Sequence, residues 1–406
     1  MTASTTAAAP PDDAERRARA ALTRLAEPGD QALVALVDAH GAQEVVERLR
    51  SGEPLGQDSR GWRVRLEGYD PDSDLDAGAR VGARLICPGD DEWPPLLDDL
   101  QGVMSLDRRT GSGRDLTAVP RGGAPLALWA RGEGVLAELC TQAVALVGAR
   151  AATPYGTETA GEIAYDVSGR GVTVVSGAAY GIDGAAHRGA LAAGARTLAV
   201  LACGVDVSYP RGHAALLERV TGAGLVLSEV PPGSAPSRIR FLVRNRVIAA
   251  LSAGTVVVEA AVRSGALNTA RWAQQMMRPV MGVPGPVTSG ASAGVHELLR
   301  DGMSVLVTDG GEVLEAISSI GDNLLPRRYA AARPRDRLDE LSQRVLEAVP
   351  AVHHVGVERI ARTAGLPVQE IEVKLGRLLL QDFVERRGNL WRLSQAARAD
   401  AGAGPG

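Results

Sequence analysis

Aromatic residues are scarce in this chain, with 2 Phe, 5 Trp and 6 Tyr among 406 residues. Its cores must therefore be built from Ala, Val and Leu, and a hydrophobic share of 45% leaves room for that. Lysine is nearly missing: of 44 basic residues, Lys374 alone is not arginine. Any anion site here works with planar guanidinium forks in place of ammonium point charges. Three cysteines (Cys87, Cys140, Cys203) without CxxC spacing support neither a disulfide framework nor a zinc site. His187, His213 and His296 are scattered, so no metal and no cofactor is expected. No apolar run reaches the ~18–20 residues that span a membrane. Met1 to Pro11 lacks a basic n-region and an apolar core, so it reads as a tail and the chain as soluble and cytoplasmic. A net charge of −4 excludes coating nucleic acid through overall charge, and any such surface has to be a local basic patch.

The length calls for two or three domains. Residues 1–12 read as tail and 13–68 as a helical module. In that module Ala20-Ala21-Leu22 and Leu25 precede a Pro28-Gly29-Asp30 break, with Leu33, Leu36 and Val37 after it. Two helices across a glycine turn suit either a SAM- or helix-hairpin-helix-like domain touching DNA backbone or a plain packing module. Residues 69–135 read as a connecting segment, mostly loop, that begins the core. Within it lie Asp70-Pro71-Asp72-Ser73-Asp74 and an apparent insertion at Arg108–Gly123. Residues 321–336 form a Pro/Arg-rich linker. Helical patterns at Leu338–Ala348, Val357–Ala364 and Val368–Gln381 precede a hairpin-like Phe383–Leu393, which makes 337–395 a winged-helix domain and 396–406 a tail. Its second helix carries Glu370, Glu372, Lys374 and Arg377, a mixed face that suits a partner as well as a duplex.

Between residues 136 and 320 short apolar runs alternate with helix-length segments. The runs are Ala143–Val147, Val172–Val175, Thr197–Ala202, Leu225–Leu227, Thr255–Val258, Val280–Val283 and Ser304–Val307. Continuous hydrophobicity is what strands covered on both faces require. The fold class is thus α/β, a Rossmann-like doubly wound parallel sheet.

Ligands of such sheets lie outside the carboxyl ends of the strands. The first strand runs into Gly148-Ala149-Arg150, which is not a GxGxxG turn, and no acidic residue follows the second strand to hold a ribose. The second strand ends in Ser176-Gly177-Ala178-Ala179-Tyr180-Gly181-Ile182-Asp183, a glycine-punctuated loop of phosphate-binding type, or else only a tight turn. Tyr209-Pro210-Arg211 offers a ring beside an arginine, the pairing that stacks bases and holds phosphates of single strands. Four arginines crowd Arg238 to Arg246. On a helix Arg240 and Arg244 share a face, Phe241, Val247 and Ile248 mark the buried side, and carboxylate partners are missing. Glu229 and Glu259 end the fourth and fifth strands, either as general acid/base groups or as partners that fix the arginines.

Several of these motifs taken together resemble the DprA/Smf DNA-processing family: Gly148-Ala149-Arg150, the Ser176–Asp183 loop with Ala186-His187, Tyr209-Pro210-Arg211, Ser228-Glu229, Phe241 with Arg244-Asn245-Arg246, Glu259-Ala260 with Ser264-Gly265 and Thr269-Ala270, and Val283-Pro284-Gly285. The match runs in order over about residues 80–310. The resemblance implies a protein without catalytic residues that binds single-stranded DNA, dimerises through the Rossmann-like domain, and helps load RecA onto strands covered by single-strand-binding protein in recombination and natural transformation. It implies DNA contacts by Gly148, Arg150, Ser176, Gly177, Gly181, Tyr209, Arg211, Arg240, Arg244, Asn245, Arg246, Ser264 and Gly265. Ala149 stands where the family has serine, Arg211 where lysine is usual, and His213 where asparagine is expected. The rival is a nucleotide-binding or nucleotide-hydrolysing enzyme of the lysine-decarboxylase-like fold. Its Pro-Gly-Gly loop is absent from Glu259–Thr269.

Overall fold

The computed structural model describes residues 10–56, 59–101, 103, 122–319, 322–323 and 334–402. Residues 1–9 of the expected tail, most of the Arg108–Gly123 insertion and most of the Pro326–Pro334 linker lie outside these. Two compact units divide between Leu325 and Pro326.

The first unit opens with α1 (Asp13–Leu25), α2 (Gln31–His40), α3 (Ala42–Ser51) and α4 (Ser59–Leu66). Asp12 caps α1 by accepting the Glu15 N–H at 2.8 Å, and Asp30 caps α2 through Ala32 and Leu33. Ala18, Ala21, Leu22 and Leu25, at helical spacing, bury among Val45, Val46, Leu49 and Trp62. The acidic segment read as loop folds instead as α5 (Pro71–Arg80). Asp70 accepts the Asp72 N–H at 3.1 Å, and Pro71 takes a first-turn position where its missing N–H costs nothing.

The same segment also contributes β1 (Ala83–Ile86) and β2 (Leu128–Arg131), neither of which sequence patterning marked. After α6 (Leu136–Thr141) the chain alternates through β3 (Ala143–Val147), α7 (Pro154–Gly169), β4 (Thr173–Ser176), α8 (Ile182–Ala192), β5 (Thr197–Leu201), α9 (Ala214–Ala223), β6 (Leu225–Ser228), α10 (Arg238–Ala250), β7 (Gly254–Val257), α11 (Gly265–Gln275), β8 (Val280–Gly282), α12 (Ala293–Arg300), β9 (Val305–Leu306) and α13 (Gly310–Ile317). The seven expected strands are all present, each bound within about a residue of its apolar run.

These strands form one nine-stranded sheet in the order β1-β2-β6-β5-β4-β3-β7-β8-β9. Strands β3 to β9 run parallel, and β1 and β2 extend the β6 edge antiparallel. Alternation along a strand sends Val144 and Leu146 into a core with α7 and α8 on one face. Ala143, Ala145 and Val147 enter a second core with α10 and α11 on the other. The sheet is therefore doubly wound. From β3 the chain steps to β4 on one side and returns to β7 on the other, so the carboxyl ends of β3 and β7 flank the topological switch point.

The second unit comprises α14 (Glu340–Ala348), β10 (Val355–Gly356), α15 (Val357–Ala364), α16 (Val368–Leu380), β11 (Val384–Arg387), β12 (Leu390–Leu393) and α17 (Gln395–Gly402). Its small antiparallel sheet, β10-β12-β11, closes over Val345, Ile360, Ile371, Leu375 and Trp391. The stretch read as a terminal tail is helical as far as Gly402, started by Ser394 Oγ accepting the Ala397 N–H at 3.0 Å. Among the described residues no helix is long and apolar enough to cross a membrane, and no group of His, Cys, Asp and Glu could hold a metal ion.

Candidate nucleic-acid interface

At the end of β3, Gly148 lies so close to its surroundings that an added Cβ would meet Ile182 Cγ1 at 2.4 Å and the Glu259 carbonyl at 2.9 Å. The Ala149 N–H donates to that same carbonyl at 2.7 Å. Gly181, with φ +75°, packs against Ala149 and Arg150, where a Cβ would stand 2.2 Å from the Ala149 oxygen. The loops after β3 and β4 are thus pressed together, and this contact pushes Arg150 outward. Its exposed guanidinium lies over the Phe241 ring, 4.6 Å from the centroid. Tyr209 packs on Phe241 in turn, at 5.4 Å and 45° between planes. Phe241 therefore faces the rim, against the expectation that it marks the buried side of its helix.

The remaining side chains of α10 reach in different directions. Arg240 forms a fork with Glu27 of the N-terminal helices, with both N···O distances 2.8 Å. Arg244 is buried and donates to the carbonyls of Gly177 (3.0 Å) and Val200. Burial pushes the Arg244 guanidinium down to about 10, with Asp183 opposing that shift and Arg150 adding to it. Asn245 donates to Gly265 O at 3.1 Å. Arg246 is 0% exposed and forms two bonds to Glu229, at 2.8 and 2.6 Å.

The expected absence of carboxylate partners is thus corrected for Arg240 and Arg246. Their partners come from elements that sequence spacing along one helix does not reach. Arg246 has no surface with which to meet a ligand, and Arg240 is committed to Glu27. Ser176 is likewise internal, its hydroxyl donating to Leu146 O at 2.6 Å. The Pro28-Gly29-Asp30 turn packs on α10, where a Cβ on Gly29 would lie 3.0 Å from Val243 Cγ1.

A cleft of about 900 Å³ opens at the switch point. Of the expected residues it is lined by Gly148, Arg150, Arg244, Asn245, Ser264 and Gly265. It adds Arg238 and Arg263, which the site reading missed, and an apolar wall including Phe241, Ile248 and Trp272. Arg238 and Arg263 are exposed. Arg211 is exposed as well but lies outside the cleft lining, as do Tyr209, Gly177 and Gly181. The signal for Arg238 was its place at the start of the arginine run; Arg263 stood alone in a loop and carried none.

Two carboxylates occupy positions where this kind of sheet usually meets phosphate. Asp183, buried in the first turn of α8, accepts the Ala179 N–H at 3.4 Å, with the Gly148 and Gly177 N–H groups also favouring its charged form. Burial raises its pKa, while Arg244 and these donors pull it back. Glu259 accepts the Thr153 N–H at 2.9 Å and the Thr153 hydroxyl at 2.6 Å, at the N-terminus of α7. Glu229 is thus the partner that fixes an arginine, Arg246, whereas Glu259 is engaged by Thr153 and fixes no arginine among the described residues; neither is an exposed acid/base group.

Fold and site define a class: a Rossmann-like protein with an arginine- and aromatic-rimmed cleft at its switch point. The profile of DNA recombination-mediator protein A matches residues 84–318. A Mycobacterium tuberculosis protein bearing the name DNA processing protein DprA is 43% identical over 393 residues, covering 96% of this chain and 97% of its own. Protein Smf of Escherichia coli is 37% identical over 260 residues, 62% of this chain and 68% of that one. The X-ray structure of DprA from Streptococcus pneumoniae superposes with a TM-score of 0.58 at 28% identity, covering 75% of this chain and 97% of that one. The chain belongs to the DprA/Smf family of DNA recombination-mediator proteins, and its role is in DNA processing connected with recombination.

Proposed function

We propose that this protein binds single-stranded DNA along the switch-point cleft and acts as a recombination mediator without chemistry of its own. The observation that carries the reading is the Arg150–Phe241–Tyr209 stack, with the exposed Arg238 and Arg263 lining the same cleft as Arg150 and Phe241, and the exposed Arg211 two residues from Tyr209. The exposed Tyr209 ring accepts an unstacked base, and free guanidinium groups neutralise the phosphates beside it. Gly148, Gly177 and Gly181 let the two loops close up behind Arg150. Arg240, Arg244, Asn245 and Arg246 act by holding α10 in register, and Ser264 and Gly265 by shaping the cleft wall. The finer partners in this reading are RecA, onto which the strand is passed, single-strand-binding protein, which it displaces, and a second copy of the chain in the cytoplasm. The β9 edge suits that copy, because Val305 and Leu306 are 58% and 51% exposed on a strand that pairs with β8 on one side only among the described residues.

Fluorescence anisotropy with labelled oligo-dT and a matched duplex tests the strand reading, with sedimentation velocity alongside for the dimer. Arg150→Ala is expected to weaken single-strand binding by about 1.5–3 kcal/mol, the worth of a charge-assisted hydrogen bond, with little change in stability. Unchanged affinity in that variant would move the interface elsewhere.

A further inference from the structure

Phosphate is normally met in sheets of this kind by backbone N–H groups where a strand hands over to its crossover helix, aided by the positive end of that helix. Here that position is filled from within. The Ala179 N–H donates to Asp183 at 3.4 Å, and the Gly148 and Gly177 N–H groups favour its charged form; Asp183 sits at the start of α8 and lines the cleft. Arg244, the cation beside it, is itself fixed to the Gly177 and Val200 carbonyls and cannot swing out to greet a ligand. The crossover through α7, which comes before it in the chain, repeats the device. Glu259 is 1% exposed, bonded to Thr153 at the start of α7, and so close to Gly156 that a Cβ there would stand 2.4 Å from its carboxyl group. The outer cations Arg150, Arg238 and Arg263 are left facing solvent.

We propose that Asp183 is the specificity-determining residue of this interface: by occupying the inner anion position it denies that position to terminal phosphates and free nucleotides, so strands are taken through internal phosphodiesters whatever their ends carry. A terminal phosphate brings more charge than an internal one and three free oxygens, and it gains most from convergent N–H donors. With those donors already satisfied by Asp183, the extra charge finds no receptor and a carboxylate in its way. Internal phosphodiesters need only point charges along the strand, which the outer arginines supply. The same filling accounts for the missing GxGxxG turn and ribose-binding acid in a fold otherwise suited to nucleotides.

The inference rests on the single-strand reading above, and its test separates the two. Affinities of 5′-phosphorylated and 5′-hydroxyl oligo-dT are measured by anisotropy for the full-length wild type, Asp183→Ala and Asp183→Asn. Thermal melts of all three with and without inorganic phosphate are run in the absence of DNA. Wild type is expected to bind the two strands within about twofold and to show no phosphate-dependent melting shift. Asp183→Ala is expected to prefer the phosphorylated strand by about tenfold, the scale of one added charge-assisted contact, and to be stabilised by phosphate. Should the alanine variant fail to fold, Asp183→Asn, which keeps the volume and removes the charge, carries the same two measurements. A wild type that itself favours 5′-phosphate, or a folded variant with neither end preference nor phosphate stabilisation, overturns the proposal. Absence of any single-strand binding by wild type would sink the strand reading, while the phosphate melts would still decide the role of Asp183.

Discussion

Arg246 and Glu229 show how one residue type serves two ends in the same run of sequence. Their guanidinium and carboxylate meet in a fork with almost no access to water, whereas Arg238, eight positions earlier, is exposed on the cleft rim. Removing one partner of such a buried pair leaves an uncompensated charge. Glu229→Ala is therefore expected to cost about 3–5 kcal/mol in urea denaturation. His187 is a second residue-scale device. Its ring is buried, with Nδ1 2.8 Å from the Thr197 hydroxyl, and that hydroxyl donates to Val174 O, so Nδ1 carries the proton and Nε2 is left without a partner. Burial, with His213 adding to it, pushes the imidazole down to about 3 from the ordinary 6.5. Below pH 6.5 the unfolded chain takes up a proton that the folded chain refuses until about 3. Stability is then complete above pH 6.5 and falls as pH drops towards 3. In His187→Gln that part of the acid sensitivity should be missing from a series of melts between pH 7 and 4.

Among the elements, α10 is the organiser. Its side chains reach the N-terminal helices through Arg240, the β4 and β5 ends through Arg244, α11 through Asn245, β6 through Arg246, and the rim through Phe241. A displaced α10 would disturb all of these at once, which explains why its second half is buried despite its arginines. The strands depend on apolar filling from two faces, with small residues substituting for aromatics. Leu146 is fully buried between α7 and α8. Leu146→Ala is expected to lower stability by about 2–5 kcal/mol, read from the denaturation midpoint, with the cleft residues unchanged in identity and the loss coming from transfer and cavity terms.

At the scale of the whole molecule, a net charge of −4 coexists with a local cationic surface. Several arginines elsewhere are spent on carboxylates, such as Arg24 on Asp74, Arg84 on Glu92 and Arg131 on Glu218. The cations at the cleft are exposed. If Arg150, Arg211, Arg238 and Arg263 each neutralise one phosphate, the logarithm of single-strand affinity should fall with the logarithm of salt concentration with a slope of about −3, at roughly 0.7 per contact. Arg263→Ala should reduce that slope by roughly 0.7. A flat response would mean that the overall negative charge is not overcome locally.

Local periodicity and turn chemistry were enough to determine much of this protein. Continuous apolar runs located all seven parallel strands, because burial on both faces leaves no alternation to obscure them. Glycines at 148, 177 and 181 located the carboxyl-edge loops, because backbones in contact admit no Cβ. The antiparallel β1 and β2 and the Asp70-capped α5 escaped, since four-residue strands and a short acidic helix carry a weak period. Which arginines remain free was a tertiary decision. Arg240 is separated from Glu27, and Arg246 from Glu229, by a span no helical spacing encodes, and Asp183 meets the Gly148 N–H only when the loops after β3 and β4 come together. Charge pairing acts across space at a few ångströms, whereas sequence pattern speaks only for neighbours along the chain, so the ligand surface was set by the fold and not by the arginine count.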